Sequence, residues 1–331
     1  MAPMYKNVKV LDVHGHVSSP PDYFAYAAGI MAANGPDRKL NISDELLAKS
    51  QDNHLKQLDD RQVDVQLIGP RPYANFMWTR PAIQTAWCKA TNDLIAQCCR
   101  LNPKRFLGMA QLPQNAESAD TKNCAAELQR AVQELGFAGA YINPDPDGLR
   151  TAPGLNDPYW YPIYETAVRL NVPLMVHPAG SRDRRVEALN ANYQINNVVE
   201  EYLATQLLTR TDIFDKFPDM KVVVCHCGGS LDRWIKTDPH MGQRDVSKNL
   251  FFDTCAHDVA FLEAAFKQRG VDQMLFGTEV PGSGGAPRPE SGRPADDLVP
   301  VIDKLEILSE QDKIKVFHEN PKRVFPRMGE L

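Results

Sequence analysis

The sequence predicts a single α/β domain spanning residues 1–331, folded as a (β/α)8 TIM-like barrel. Three observations predict it. Eight short apolar runs recur along the chain, most of them without polar alternation, as strands buried on both faces must be. Longer helical stretches separate them, which favours parallel βαβ units over a sandwich or a bundle. Histidines and a carboxylate stand just after several of these runs, where a barrel keeps its working face. A doubly wound sheet is the competing architecture.

Taken in order, the runs are residues 8–13, 63–68, 106–112, 138–142, 173–176, 221–225, 250–253 and 273–276, each rich in Val, Ile, Leu or Phe. After the first comes a long insertion, residues 18–42, and only then a helical stretch at 44–60. Further helices are expected at 83–101, 118–135, 160–170, 198–214, 259–269 and 297–308. Gly136, Pro218 and Gly270 close three of them, the residues that end helices by permitting a left-handed turn or refusing another helical turn. A Gly/Pro-rich loop, 280–294, follows the last run, and Ser309-Glu310-Gln311-Asp312 opens a C-terminal helix in capping-box style. Loops after barrel strands lie on the catalytic face, so both long loops overhang it.

Composition narrows the function. The 37 basic and 42 acidic residues leave a net charge of −5 without long like-charge blocks, which argues against a nucleic-acid groove or an anionic membrane surface. No apolar run approaches the roughly 18 residues of a membrane span. Seven cysteines, odd in number and without a CxxC pair, suit a reducing cytoplasm better than a disulfide framework. A small-molecule substrate and a cytoplasmic homo-oligomer are expected.

Side chains two apart on a strand point the same way, so the imidazoles of His14-Gly15-His16 converge inside the barrel mouth, with Gly15 leaving the opposite side open. His177 ends the fifth run, His226 the sixth, and Gly277-Thr278-Glu279 the eighth. Burying so much polar surface without a task costs roughly 1–3 kcal/mol per unsatisfied group. A metal site is the economical explanation: imidazole and carboxylate donors suit Zn²⁺, with Mn²⁺ or Fe²⁺ possible. Arg71, in a Pro-bracketed loop after the second run, has the planar charge to grip a carboxylate in bidentate fashion. Arg233 and Arg293 are weaker candidates for the same task. Asn143 and Ser181 suit either substrate hydrogen bonds or turns. Cys225 and Cys227 flank His226 on the opposite strand face as packed thiols, and His54, His240 and His318 read as surface or structural.

At these residues the chain resembles the amidohydrolase superfamily, in the group that holds aminocarboxymuconate semialdehyde decarboxylase, γ-resorcylate decarboxylase and 4-oxalomesaconate hydratase. The resemblance runs from Leu11 to Phe325 and is nearest the hydratase branch. Its carriers include Asp12-Val13-His14-Gly15-His16-Val17-Ser18, Gly69-Pro70-Arg71-Pro72-Tyr73, Asn143-Pro144-Asp145-Pro146, Tyr159-Trp160-Tyr161-Pro162 and Phe276-Gly277-Thr278-Glu279-Val280-Pro281-Gly282. The resemblance implies metal ligands at His14, His16 and His177, with Glu279 as fourth ligand, proton carrier or both, and His226 as the second proton carrier. Related decarboxylases usually have Asp where this chain has Glu279, which points to the hydratase branch. Two segments depart from it: the continuation Cys227-Gly228-Gly229-Ser230-Leu231-Asp232-Arg233-Trp234, and Asp253-Thr254-Cys255-Ala256-His257-Asp258, which is similar to the semialdehyde decarboxylase and adds His257 to the substrate candidates. The resemblance implies a metal-dependent lyase acting on a small di- or tricarboxylic acid from aromatic-ring degradation. A non-oxidative decarboxylase of an aromatic or muconate-type acid is the alternative, then a metal-dependent hydrolase.

Overall fold

The computed structural model describes residues 4–115, 117–189, 192–235, 237–238 and 244–331. An antiparallel hairpin, β1 (Met4–Tyr5) and β2 (Val8–Lys9), precedes the barrel. Eight parallel strands follow: β3 (Leu11–His16), β4 (Val65–Gly69), β5 (Phe106–Ala110), β6 (Gly139–Ile142), β7 (Leu174–Val176), β8 (Val222–Val224), β9 (Leu250–Asp253) and β10 (Met274–Leu275). They pair strictly in chain order. The seam between first and last is closed by backbone: Val13 N–H donates to Phe276 O at 2.8 Å, Glu279 N–H to His14 O at 2.7 Å, and Gly15 bridges Val280. The result is the expected (β/α)8 barrel.

The strands are buried on both faces, each face in its own core. Leu11, Val13, Val65, Leu67, Met109, Tyr141, Met175, Val223, Phe251 and Leu275 fill the barrel. Their neighbours, such as Ile68, Ala140, Ile142, Val222 and Val224, pack outward against the helices. This explains the missing polar alternation in the sequence.

The helices are α1 (Pro21–Ala32), α2 (Asp44–Asp60), α3 (Pro81–Leu101), α4 (Lys122–Gln133), α5 (Tyr161–Leu170), α6 (Asn192–Arg210), α7 (Ile213–Lys216), α8 (Val259–Arg269) and α9 (Val299–Asp303). The final stretch joins α10 (Glu310–Ile314), a π-helical turn (Lys315–Glu319) and α11 (Asn320–Val324). Ser309 caps α10 in the expected box, its hydroxyl accepting Asp312 N–H at 3.2 Å.

Several boundaries differ from the sequence reading. The insertion contains a helix, α1, begun by Pro21 and buried through Tyr23, Ala27 and Ile30. The first run breaks at Val10, whose N–H donates to Asp64 instead of continuing a strand. The helix expected at 297–308 stops at Asp303, after which the chain turns inward to bury Leu305 and Leu308. The 198–214 stretch is two helices, α6 and the short α7. No helix among the described residues is long and apolar enough to cross a membrane.

Candidate metal centre

β3 delivers His14 and His16 to the top of the barrel, but by an irregular route. Its pairing with β4 shifts register between Asp12 and Gly15. Gly15 is needed because Gln66 packs on it: a Cβ there would lie 2.2 Å from Gln66 Cδ. Asp12, fully buried, ties this region to the far side of the seam. One of its oxygens accepts His14 N–H (2.9 Å) and Thr278 N–H (3.1 Å), the other the Thr278 hydroxyl (2.5 Å) and the Gln66 amide (2.8 Å). Burial pushes the Asp12 carboxyl up to about 7 despite these donors.

Three imidazoles are held alike. His14 Nδ1 bonds Asp253 Oδ2 at 2.7 Å, His16 Nδ1 bonds Pro70 O at 2.9 Å, and His177 Nδ1 bonds Pro178 O at 2.8 Å. A carbonyl can only accept, so the proton of His16 and of His177 sits on Nδ1 and a lone pair is left on Nε2. Burial drives His14 down and His16 to about 3, keeping both neutral. The Nε2 atoms of all three are buried with no hydrogen-bond partner. Three orphaned nitrogens, each with its opposite ring nitrogen anchored, are what a divalent cation requires of its histidine ligands. The residues therefore fit a metal ion.

Glu279 and His226 complete the group. The donor atoms of His14, His177, His226 and Glu279 lie within 4.8 Å of one another, and His16 joins through Glu279. Glu279 Oε1 stands 3.5 Å from His226 Nε2, 3.7 Å from His16 Nε2 and 3.9 Å from His177 Nε2. Burial would raise this carboxyl, but the surrounding histidines hold it well below the usual range. Ser283 donates to its other oxygen, Oε2, at 3.0 Å.

His226 does not end a regular strand: its φ of 50° and that of Cys227, 59°, lie in the left-handed region. This turn lifts the imidazole into the mouth. It also separates the two thiols, so that Cys225 packs inside the barrel and Cys227 outside, rather than both on one opposite face. Behind His226 lies Glu201 of α6, fully buried, with Oε1 at 2.7 Å from Nδ1. Burial alone would depress His226, but the Glu201 carboxylate and further hydrogen bonds raise it well above the ordinary histidine value.

The sequence candidates for substrate contact divide. His257 lies beside Glu279 and Cys255, its Nε2 buried and unpartnered. Arg71 spans the segments that follow His16 and Glu279, donating Nε–H to Val17 O (3.0 Å) and Nη1–H to Pro281 O (3.1 Å). Asn143 is buried in a turn, its Oδ1 accepting Asp145 N–H at 3.0 Å, and Ser181 Oγ accepts Asp183 N–H at 3.0 Å. Arg233 is exposed and stacks over Trp234, with 5.3 Å from guanidinium to ring centroid. Arg293 is ion-paired with Asp297 and donates to Asp60 O. The structure brings neither of these two arginines to the histidine group. His54, expected as surface or structural, is structural: it is buried, with Nε2 at 2.8 Å from Gln66 Oε1. His318 is part-buried against Lys9 O, and His240 lies outside the described residues.

Two residues escaped the sequence reading. Asp253 closes the seventh strand, so the strand-end rule that found the histidines reaches it too. Glu201 left no such signal, because its partner is 25 residues away on another element. A cavity of about 420 Å³ opens beside Glu279 and His226, lined also by Asn197, Ser230, Cys255 and His257.

The amidohydrolase family model matches residues 11–327. The chain belongs to that family. Among the family's members, it is 32% identical to a 2-keto-4-carboxy-3-hexenedioate hydratase from Sphingobium, over 96% of each chain. It is 26% identical to a 2-amino-3-carboxymuconate-6-semialdehyde decarboxylase from Dictyostelium discoideum, over 79% of this chain and 72% of that one. In structure it superposes on the 4-oxalomesaconate hydratase of Rhodopseudomonas palustris with a TM-score of 0.86, at 29% identity and 97% coverage of both. A 5-carboxyvanillate decarboxylase from Novosphingobium aromaticivorans, solved with bound manganese, shares the fold at TM-score 0.70, 18% identity and 97% and 98% coverage.

Proposed function

We propose that the protein is a metal-dependent hydro-lyase that adds water to an unsaturated di- or tricarboxylic acid derived from an opened aromatic ring. The observation that carries this reading is the pairing of two proton carriers, Glu279 Oε1 and His226 Nε2, 3.5 Å apart beside the unpartnered histidine nitrogens. The hydratases among its relatives support it across nearly the full chain.

In this reading His14, His16 and His177 hold the cation, Zn²⁺ by donor type, with Glu279 as the fourth contact. When bound, the cation supplies Lewis-acid polarisation of a substrate oxygen. Glu279 takes a proton from water as its oxygen bonds one alkene carbon, and His226 Nε2–H delivers a proton to the neighbouring carbon. Reversible addition needs this opposition of roles on adjacent groups. Glu201 keeps His226 oriented and charged. Arg71 and His257 are the contacts for substrate carboxylates, Arg71 through the guanidinium edge left over from its two backbone bonds. We further infer that the chain works as one domain in a homo-oligomer, and that it resides in the cytoplasm, where its seven free cysteines stay reduced.

The test is turnover of unsaturated di- and tricarboxylates by the metal-loaded protein in ¹⁸O-labelled water. Label entering the product at the new hydroxyl, with no CO₂ released, is the expected result. Stoichiometric CO₂ without water addition would instead establish the decarboxylase, as the semialdehyde decarboxylase relative allows. Glu279→Gln should retain substrate binding and lose about 10²–10⁴-fold in kcat.

A further inference from the structure

The two oxygens of Glu279 face different company. Oε1 is turned to His16, His177 and His226, at 3.5–3.9 Å. Oε2 is turned to Ser283 and to Cys255, whose Sγ is 3.9 Å away. His257 stands with them: the donor atoms of Cys255, His257 and Glu279 lie within 4.8 Å of one another, and His257 Nε2 is buried without a partner. The three line the cavity next to His226. Their positions are fixed by the surroundings. Cys255 N–H donates to Asp253 Oδ1 at 3.0 Å, while the same carboxylate's Oδ2 anchors His14. Gly284 lets the loop close on His257, since a Cβ there would lie 2.7 Å from Nε2.

We propose that Cys255, His257 and Glu279 form a second, softer metal site that shares the Glu279 carboxylate with the three-histidine centre and closes the substrate cavity when filled. The proposal rests on the reading of Glu279 as a contact of that centre and as proton carrier. A carboxylate presenting one oxygen to each of two donor sets is a bridging ligand by geometry. The first set is all imidazole; the second adds a thiol, and sulfur selects Zn²⁺ or Cd²⁺ over Mg²⁺ and Mn²⁺. On binding, the metal–sulfur bond replaces the Cys255 S–H bond and the proton leaves to solvent; no electrons are exchanged. Because an ion there engages Glu279 Oε2 and occupies the space beside His226, it competes with substrate. The enzyme is thereby active with one equivalent of a thiophilic metal and inhibited by a second.

Co²⁺ titration of the metal-free protein tests this. Two equivalents should bind, the second bringing a thiolate-to-cobalt charge-transfer band in the near ultraviolet. Cys255→Ser should retain one equivalent and lose the band. His257→Ala, which keeps every thiol, should also bind a single equivalent without the band. Zn²⁺ beyond one equivalent should raise KM of the wild type and leave that of Cys255→Ser unchanged. One equivalent in the wild type, a band that survives Cys255→Ser, or equal zinc inhibition of both proteins would overturn the site. Stoichiometry and band need no substrate, so their outcome is independent of which lyase reaction the enzyme runs.

Discussion

Replacing Glu201 by Gln should cripple turnover while leaving metal and substrate binding intact. Glu201 is fully buried on α6, behind the cavity, and reaches it through His226, whose Nδ1 is 2.7 Å from Oε1. The glutamine amide oxygen can still accept that N–H, so the ring tautomer and the packing survive. What disappears is the negative charge that supports a protonated His226. A charge-assisted hydrogen bond is worth about 1.5–3 kcal/mol, and each 1.36 kcal/mol is tenfold in rate, so kcat should fall about 10- to 150-fold. KM should stay within a factor of about two, since the lost interaction favours proton transfer rather than binding. The assay is steady-state kinetics on the best unsaturated dicarboxylate, beside elemental analysis of the purified variant. Glu201→Asp, which restores the charge at a slightly longer reach, should recover part of the loss. Wild-type kcat in Glu201→Gln, or a loss of metal in place of a loss of rate, would refute Glu201 as the residue that orients the proton carrier.

Three further outcomes follow from the same geometry. His177→Ala should fold, by circular dichroism, yet retain little metal on elemental analysis; full occupancy would remove His177 from the ligand set. Arg71→Ala should raise KM and also lower the melting temperature, because it removes the strap between Val17 O and Pro281 O; a change in KM alone would mean the strap has no structural role. Asp145 is buried, with Oδ1 accepting Arg150 N–H and Oδ2 unpartnered, and burial lifts its pKa to about 7, above the value of about 4 in an unfolded chain. The folded state thus holds a proton that the unfolded state has released, so this residue's contribution to stability is lost as pH rises from about 4 to 7. Asp145→Asn keeps the Oδ1 acceptor and should melt higher than wild type at pH 8, with the gain vanishing near pH 4; an equal gain at both would exclude the titration as its source.

The barrel was legible because strands buried on two faces leave continuous apolar runs, which no other soluble element of four to eight residues leaves so regularly. His14, His16, His177, His226 and Glu279 were legible because position in a barrel follows from position in a run: side chains at the C-terminal end of a strand, or just beyond it, gather at the mouth. The failures share a cause. Arg233 and Arg293 were plausible by charge and loop membership, but Trp234 and Asp297 hold them, and a sequence does not show which neighbour wins a guanidinium. Glu201 was invisible because helix α6 buries it toward a histidine on another element, while Glu200, its neighbour in the chain, pairs with Arg150 on the other side. The helix in the insertion was hidden by Gly29 and by an aromatic, alanine-rich composition whose buried face is narrow. The interruption of the last helix by a π turn precedes Pro321, which has no N–H to continue the regular ladder.

The seam of the barrel has a consequence for how the protein comes into being. Asp12 and Thr278, which lock the seam, are 266 residues apart, and the proposed cation contacts stand on both sides of it. At about 5–20 residues per second on a ribosome, roughly 13–53 s separate the synthesis of the two halves of the lock. Throughout that interval the nascent chain has His14 and His16 but no Glu279 to oppose them and no last strand to align them. If these contacts hold the cation, its capture at full affinity waits until residue 279 has been made, and a product truncated before that residue would be released without it.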